Sequence, residues 1–523
     1  MAISGAHRNR PVGGLLPALL LAILLLSSLL LSACEKAAPV DKRSPFAAPS
    51  GAARSSGNGV PEDAAPEDTG SLALSRAPMP VPLADPEPQA LLIAIAQSYP
   101  RARQMRTKSE TGEVARLGET AASLDRARAD LRAIKRNLAR FSVDGPPTHA
   151  LFHAIGRDGR LQAWLIRPDG AVFAGQSARP YAGLAELPDG LGVTRFALSR
   201  GPQPKGQPLR PLDAEESVDD SRGGRATVAQ RMATLRETSA ALLPGAIGEA
   251  LAAATGPLLV LPVRDTGTAP YAALPVPGGR EPAARRWSFV VMQDVETLAS
   301  DAPGFDMGAV DLAKAVVVGD PEDMRDVRFN FPPLPGARKE ALAIAKQLAV
   351  DDRNVLIGAD ASRSNVVNAI NRLNGGGIVY MATHAIADAR NPLTRGFVVL
   401  DRSNLFAGEL RATRFRGWDT HHPLVVMSAC QTGLGRVLEG GTFGVARTWT
   451  DAGAGQVVAS LWNVSDQATL LLMTRFAAAL KAGKAPERAM QLAQLETLRD
   501  YPNNPKLWAS FTIIGKPTLG PAG

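Results

Sequence analysis

The chain has 523 residues, of which 45% are hydrophobic and 21% are charged, proportions typical of a globular protein large enough for two or three domains. Its formal net charge of +8 favours a solvated basic surface near an anionic membrane, but the arginines are dispersed and no basic run is interleaved with aromatic residues. The composition therefore excludes a fibrous or wholly disordered chain, and no nucleic-acid partner is predicted.

Residues 1–33 have the layout of a secretory signal peptide, with arginines before an apolar run that ends in Leu-Ser-Ala-Cys at Cys34. This ending resembles the lipobox of bacterial lipoproteins, in which the cysteine is acylated and becomes the new N-terminus. The resemblance implies a membrane anchor through a lipidated Cys34 and a periplasm-facing lipoprotein of the cell envelope. A plain transmembrane anchor is the alternative. Glu35 is not the aspartate that retains such proteins at the inner membrane, which favours the outer membrane.

Two segments follow before the first strands. Residues 34–88 are rich in Ala, Pro, Ser and Gly and predict a disordered tether, because they bury too little apolar surface to offset the entropy of ordering. Residues 89–142 predict a helical segment, in which Leu124, Leu131 and Leu138 share one face and arginines the other. No tetratricopeptide period is recognisable there.

Residues 143–255 predict a β-hairpin and helical region that precedes the core. Its short apolar runs are separated by Asp-Gly turns, the strongest short-range signal for hairpins. His149 and His153 lie in the first strand, where few partners surround them, and we interpret them as structural residues. The loop at 201–225 is rich in Pro, Gly and acids and is a candidate site of self-processing.

From residue 256 to 520, short apolar strands alternate with amphipathic helices. The strand candidates include PLLVLPV, AKAVVVGD, GGGIVYMATHA, HHPLVVMSACQTG and QVVASLW. This alternation predicts an α/β fold with a mostly parallel sheet covered by helices on both faces. Ligands bind such sheets beyond the carboxyl ends of the strands, so the functional site is expected there.

Two of these strands end in residues suited to nucleophilic catalysis, His384 and Cys430. If the strands are parallel neighbours, the imidazole and the thiol emerge at the same rim of the sheet, where a histidine can activate a cysteine and protonate a leaving amine. Gly433 and Gly435 allow a tight turn whose N–H groups face a developing oxyanion. A buried structural role is the alternative, since free cysteine is among the most buried residue types. With Cys34 assigned to lipid, Cys430 is the only remaining thiol, and no internal disulfide can form.

Both residues belong to a series of motifs that occur in order between about residues 256 and 517. The motifs are LVLPVRDTGTAPYAALPV, LPGARKEALAIAKQL, a strand ending in ATHA, MSACQTGLG, EGGTFGVARTWTDAGAGQVVASLWNVSDQAT and WASFTIIGKP. The series resembles the CHAT family, a branch of the caspase-like and separase-like cysteine peptidases. The resemblance implies a caspase-like fold over residues 256–520, with His384 as general base and acid and Cys430 as nucleophile.

The resemblance also implies an oxyanion hole built from two backbone N–H groups, one of them that of Cys430. The family's histidine is normally followed by a glycine that supplies the other N–H, and this chain has Ala385 instead. The change keeps the N–H and adds a methyl group, which costs on the order of 1 kcal/mol if the backbone there requires a positive φ.

Two aspartates, Asp388 and Asp466, are candidates for a specificity pocket that would favour a basic residue of the substrate. The alternatives are a turn residue and a helix N-cap, respectively, because aspartate is preferred at both positions. His421 and His422 are adjacent and point to opposite sides of an extended segment, so they make a poor metal pair. With no metal-ligand cluster, Walker pattern or GxGxxG motif, we predict no metal and no cofactor.

The sequence therefore predicts a lipid-anchored cysteine endopeptidase of the cell envelope, whose partner is a protein or peptide substrate. The alternative is a catalytically weak or inactive scaffold of the same fold that binds a regulatory protein partner at the envelope. Ala385 and the oxidising compartment favour this alternative. Labelling of Cys430 by a thiol-reactive peptide distinguishes the two.

Overall fold

The structure is a computed structural model that describes residues 89–106, 121–141, 146–184, 203–204, 228–276, 278–301, 304–462 and 464–519. These residues belong to one compact unit. The predicted signal peptide, Cys34 and the tether lie outside the described residues, as does most of the loop at 201–225. No described helix is both long enough and apolar enough to cross a membrane.

The described strands form one large sheet and three small ones. In chain order they are β1 (His149–Ile155), β2 (Arg160–Ile166), β3 (Val172–Pro180), β4 (Gln203–Pro204), β5 (Gly256–Leu261), β6 (Trp287–Val291), β7 (Ala315–Gly319), β8 (Phe329–Asn330), β9 (Val355–Ile357), β10 (Ile378–Ala382), β11 (Ala385–Ile386), β12 (Phe397–Leu400), β13 (Ser403–Phe406), β14 (Leu424–Ser428), β15 (Gly435–Leu438), β16 (Gly441–Gly444), β17 (Gln456–Ser460) and β18 (Phe511–Gly515).

The large sheet has eleven strands in the order β3-β2-β1-β5-β6-β18-β17-β14-β10-β7-β9. Only the pairs β3 with β2, β2 with β1 and β17 with β18 are antiparallel, and the other neighbours are parallel. The predicted mostly parallel sheet is thus confirmed. The predicted hairpin region is present as β1–β3. β1 pairs with β5, so the sheet continues across the predicted domain boundary between residues 255 and 256. That boundary stays a prediction.

Helices cover both faces of this sheet. They are α1 (Gln89–Arg106), α2 (Ala121–Phe141), α3 (Val228–Leu242), α4 (Ala246–Ala252), α5 (Val295–Ala299), α6 (Pro335–Leu348), α7 (Arg363–Leu373), α8 (Pro392–Arg395), α9 (Ala407–Ala412), α10 (Val445–Asp451), α11 (Asp466–Lys481), α12 (Pro486–Asp500) and α13 (Pro505–Trp508). The predicted helical segment at 89–142 is therefore present as α1 and α2 where it is described.

Two apolar cores, one on each face, hold the central strands. Alternate residues of β10 point to opposite cores, so Tyr380 packs with α6 and α11 while Val379 packs with α7 and α10. Strands buried on both faces have few polar residues, and this explains the nearly continuous Val, Ile and Ala of β7, β10 and β14. These central strands carry the candidate site at their carboxyl ends.

β10 and β14 are parallel neighbours, as the predicted site requires. Their register pairs Ala382 with Ser428, the last residue of each strand. His384 and Cys430 each follow this pair by two residues, so they occupy equivalent positions beyond the same edge of the sheet.

Candidate active site

Cys430 lies in the turn that follows β14, and its side chain is half-buried. The next residue, Gln431, has a φ of +57°, so the chain reverses direction directly after the thiol. The turn is held against β17, because the Gly433 N–H donates to the Ser460 carbonyl at 2.8 Å. A Cβ at Gly433 would lie 3.0 Å from this carbonyl, so the glycine permits the close approach of the two segments.

His384 connects β10 to β11 and is buried, with 2% of its surface exposed. Its Nε2 atom lies 2.9 Å from the Pro332 carbonyl oxygen. Since a carbonyl only accepts, the neutral ring donates its Nε2–H there. The Phe331 ring packs beside the imidazole, with centroids 5.3 Å apart. These contacts orient the ring and leave Nδ1 with the lone pair that a general base needs.

The structure brings the two predicted catalytic residues to one rim of the sheet. Neighbouring strands lie about 4.8 Å apart, and His384 and Cys430 occupy the same register position beyond β10 and β14. The imidazole hydrogen-bonds to the Pro332 carbonyl rather than to the thiol, and the backbone of Val464 lies near enough to the thiol to affect its pKa. The dyad therefore shares a rim without a direct hydrogen bond between its members.

Burial keeps both members of the dyad uncharged. Burial raises the pKa of the Cys430 thiol to about 11, with the backbone of Val464 acting to lower this pKa and the nearby charge of Asp466 acting to raise it. Burial also lowers the pKa of His384, while the Pro332 carbonyl and the charges of Asp466 and Asp320 act in the opposite direction. The resting pair at neutral pH is therefore a thiol and a neutral imidazole.

Asp466 is close enough to affect both members of the dyad, which the sequence alone did not indicate. It is the first residue of α11, and Ser465 is the N-cap, so the predicted N-cap alternative is displaced by one residue. Its carboxylate lies against Gly336 in the first turn of α6, where any larger side chain would collide with it. A carboxylate in the first turn of a helix is stabilised by the helix dipole, so a structural role is compatible with an electrostatic one.

Asp388 has the contacts expected of a turn residue. Its carboxylate accepts the backbone N–H groups of Arg390 at 2.9 Å and Asn391 at 2.7 Å, and it forms an ion pair with Arg395 at 3.1 Å. These interactions favour the turn alternative, and its place in a specificity pocket stays a prediction.

Ala385 does not have the positive φ that would make its methyl group costly. It is buried and opens β11, where it pairs with Val398 of β12. The neighbouring His384 carbonyl accepts the Val399 N–H at 2.9 Å, which fixes this backbone. The replacement of glycine thus introduces no backbone strain, while the oxyanion role of the Ala385 N–H stays a prediction.

The sequence pattern did not indicate two residues around the site, Pro332 and Glu340. The Pro332 carbonyl orients His384, and a backbone acceptor of this kind cannot be predicted from a pattern of side chains. Glu340 is buried in α6, where its Oε1 atom accepts the Tyr380 hydroxyl at 2.6 Å. A signal for Glu340 existed, since it lies four residues before Ile344 on the apolar face of the predicted helix.

Three further histidines in the described part of the chain bond to backbone carbonyl groups. His149 Nδ1 lies 2.8 Å from the Pro147 carbonyl oxygen and His153 Nε2 lies 2.9 Å from that of Leu242, so both are structural as interpreted. His422 Nδ1 lies 2.9 Å from the Gly453 carbonyl oxygen. The described part of the chain contains no group of three or more His, Cys, Asp or Glu residues that could hold a metal ion.

A family model described as "CHAT domain" matches residues 232–516, a range that contains both His384 and Cys430. Among curated proteins, tetratricopeptide repeat protein 28 of Mus musculus is 26% identical over an alignment of 244 residues, and the match covers 38% of this chain and 9% of that protein. The chain thus spans less than a tenth of the length of this relative.

Two solved structures are among those similar to this chain. The Arg-specific cysteine proteinase gingipain R is 11% identical with a TM-score of 0.36, and the match covers 53% of this chain and 68% of that one. The separase–securin complex of Saccharomyces cerevisiae is 9% identical with a TM-score of 0.47, and the match covers 83% of this chain and 34% of that one.

Proposed function

Since the chain belongs to the CHAT domain family, whose model matches more than half of it, we propose that it is a cysteine endopeptidase that cleaves a protein or peptide substrate through Cys430 and His384. One observation carries the proposal. The register of β10 and β14 puts both residues at equivalent positions beyond one edge of the sheet, and the Pro332 carbonyl holds the imidazole with Nδ1 unprotonated.

The uncharged resting pair determines the proposed mechanism. His384 Nδ1 accepts the thiol proton as the Cys430 sulfur attacks the carbonyl carbon of the scissile bond, giving a tetrahedral oxyanion. The backbone N–H groups of Ala385 and Cys430 are the proposed donors to this oxyanion. Collapse transfers the proton from the imidazolium to the leaving amine and forms a thioester, which water hydrolyses with His384 as the base. The enzyme then returns to its thiol form.

We further propose that Asp466 favours a basic residue on the acyl side of the scissile bond. Its negative charge acts on both dyad partners, so it lies near the place where that substrate residue would be held. A buried or half-buried carboxylate attracts a lysine or arginine side chain more strongly than an exposed one does.

The lipid anchor on Cys34 and the periplasm-facing, outer-membrane location are also part of this proposal. They rest on the lipobox-like sequence alone. A regulatory protein partner at the envelope would fit the same location.

A catalytically inactive scaffold is the second candidate, and one observation favours it. The thiol is held by burial at a pKa of about 11 and has no hydrogen bond to His384, so its thiolate is scarce at neutral pH.

Covalent labelling separates the two functions. The full chain in detergent micelles under reducing conditions is treated with a peptidyl acyloxymethyl ketone that ends in arginine, and adducts are mapped by mass spectrometry. We expect an adduct on Cys430 that forms about a hundredfold more slowly in His384→Ala, since a general base contributes about that much or more. His421→Ala, which removes an exposed histidine, is the matched control. Equal rates in His384→Ala and the parent would argue against the dyad, and no adduct would favour the scaffold.

A further inference from the structure

The short strand β8 leads directly into the residues that hold His384. It ends at Asn330, and the next residue, Phe331, packs its ring beside the imidazole. The residue after that, Pro332, provides the carbonyl that accepts the His384 Nε2–H at 2.9 Å. An extended chain paired with β8 would therefore run past the candidate active site.

A segment from elsewhere in the chain already pairs with β8. Gln203 and Pro204 form β4, which is antiparallel to β8 with Gln203 opposite Asn330 and Pro204 opposite Phe329. This is a separate two-stranded sheet of two residues per strand, and such small ladders are marginally stable. Proline has no backbone N–H, so Gln203 is the only residue of β4 that can donate a ladder hydrogen bond.

The chain around β8 has the side-chain pattern of a binding strand. Val327 is 85% exposed, and Phe329 and Phe331 follow at alternate positions, each half-buried. The two phenylalanines pack on a small apolar cluster that includes Ile386 and Phe397, separate from the main cores. Val327 precedes β8 by two residues, and a short strand of a small two-stranded sheet is the kind of edge on which an extended peptide adds as a further strand.

The Arg328 side chain helps to hold this segment in place. Arg328 forms an ion pair with Asp326 at 3.3 Å, and its guanidinium lies over the rings of Phe329 and Phe397 at 5.1 Å and 5.3 Å. These contacts hold β8 in place without using its backbone, so exchange of the pairing strand does not require β8 itself to unfold.

We propose that β8 is the docking edge for an extended peptide substrate, which pairs with its backbone beside His384, and that residues 203–204 occupy this edge as an internal competitor. The substrate class is a disordered, extended segment, whose side chains at alternate positions would face Val327 and the phenylalanine cluster. The identification of the docked peptide as a substrate rests on the proposed peptidase function.

Peptide binding to the full chain tests this edge without requiring catalysis. The probe is a fluorescein-labelled peptide that copies residues 199–208, SRGPQPKGQP, and its Kd is measured by fluorescence anisotropy on the Cys430→Ser chain. Gln203→Pro removes the only donor of β4, and Gln207→Pro makes the same change in the identical Gln-Pro dipeptide four residues later. If β4 occupies the edge nine-tenths of the time, its release lowers the apparent Kd about tenfold in Gln203→Pro. Gln207→Pro should leave the Kd unchanged.

A change in the peptide provides a second test that leaves the protein fold untouched. The same peptide with an N-methyl group at the nitrogen of the residue that copies Gln203 cannot donate to β8, and we expect it to bind at least tenfold more weakly. Equal Kd values for Gln203→Pro and its parent, equal effects of the two proline variants, or equal binding of the two peptides would each overturn the proposal.

The outcome is independent of the peptidase test. If the peptide binds as expected while the arginyl ketone leaves Cys430 unlabelled, the docking edge stands and the peptidase proposal fails. If Cys430 is labelled but the peptides do not discriminate as described, the peptidase proposal stands and the docking edge is overturned.

Discussion

At the scale of single residues, the proposed chemistry depends on proton transfer within an uncharged pair. Cys430 keeps its proton because burial raises its pKa to about 11, and His384 is neutral because burial lowers its pKa. In this mechanism the attacking group is therefore a thiol that loses its proton during the attack, and not a thiolate formed beforehand. The hydrogen bond to Pro332 then has a direct role, because it keeps Nδ1 free to take that proton.

The raised pKa of Cys430 predicts an unusual pH dependence of alkylation. We expect the rate of iodoacetamide modification at Cys430, followed by peptide mapping, to keep rising from pH 7 to pH 10, because the reactive thiolate becomes abundant only near its pKa of about 11. Glutathione in the same samples is the control for an ordinary thiol. A rate that levels off below pH 9 would contradict the raised pKa.

Replacement of Asp466 tests its two effects separately. Asp466→Asn removes the charge that raises the pKa of Cys430 and of His384, so iodoacetamide should react faster at pH 8 in the variant. The ratio of the labelling rate with the arginyl ketone to that with a leucyl ketone of equal length should fall about tenfold, which corresponds to about 1.4 kcal/mol. Asp388→Asn is the control, since that carboxylate is occupied by its own turn. An unchanged preference in Asp466→Asn would remove this residue from the specificity pocket.

At the scale of elements, α6 connects the groups around the dyad. Its first turn places Gly336 against Asp466, and Arg338 in the next part of the helix pairs with Asp320 at 3.0 Å. One turn later, Glu340 points into the core beneath β10 and accepts the Tyr380 hydroxyl. Burial raises the pKa of Glu340 to about 7, although the nearby hydroxyls of Ser428 and Tyr380 act to lower it.

Glu340 therefore makes the stability of the protein depend on pH. Its pKa is higher in the folded chain than the ordinary 4.5, so its contribution is fully present below pH 4.5 and is lost as the pH rises to about 7 and above. The shift corresponds to a loss of about 3 kcal/mol in the free energy of unfolding. In Glu340→Gln this part of the pH dependence should disappear, which urea denaturation at pH 5 and pH 8 would measure.

The control for this experiment is Glu237→Gln, which changes an exposed carboxyl of α3. It should retain the difference between pH 5 and pH 8 that the parent chain shows. The same difference in Glu340→Gln as in the parent would mean that Glu340 ionises normally in the folded protein.

At the scale of the whole molecule, the sheet does not end where the family match begins. The match starts at residue 232, while β1–β3 precede it and extend the sheet through the pairing of β1 with β5. Phe152 and Trp164 of this meander belong to the same core cluster as residues of α6 and α11. The half of the sheet that carries His384 and Cys430 and the meander are therefore expected to fold together.

Truncation tests this cooperation. A chain of residues 228–523 lacks β1–β3, which exposes the parallel edge of β5 and part of the core, so we expect it to be insoluble or to bind the dye 8-anilinonaphthalene-1-sulfonate strongly. A chain of residues 78–523, which retains the compact unit, is the control and should behave as the full chain does. A soluble 228–523 chain with a sharp thermal transition would show that the meander is dispensable.

The amino-acid sequence by itself determined the class of the fold and predicted His384 and Cys430 as a dyad. Both depend on local information, since hydrophobic periodicity, Asp-Gly turns and the motifs around His384 and Cys430 lie within short stretches of chain. The family match confirms the predicted resemblance, while the lipid anchor on Cys34 stays a prediction.

Only the tertiary structure decided which strands are neighbours and what surrounds the dyad. Parallel strands are joined by long crossovers, so nothing local records that β10 lies beside β14 or that Ala382 pairs with Ser428. Three further interactions likewise join segments that are far apart in sequence: the hydrogen bond of His384 to the Pro332 carbonyl, the effect of the Asp466 charge on the dyad and the pairing of β4 with β8. Their effects on pKa arise from burial and distance, which exist only once the chain has folded.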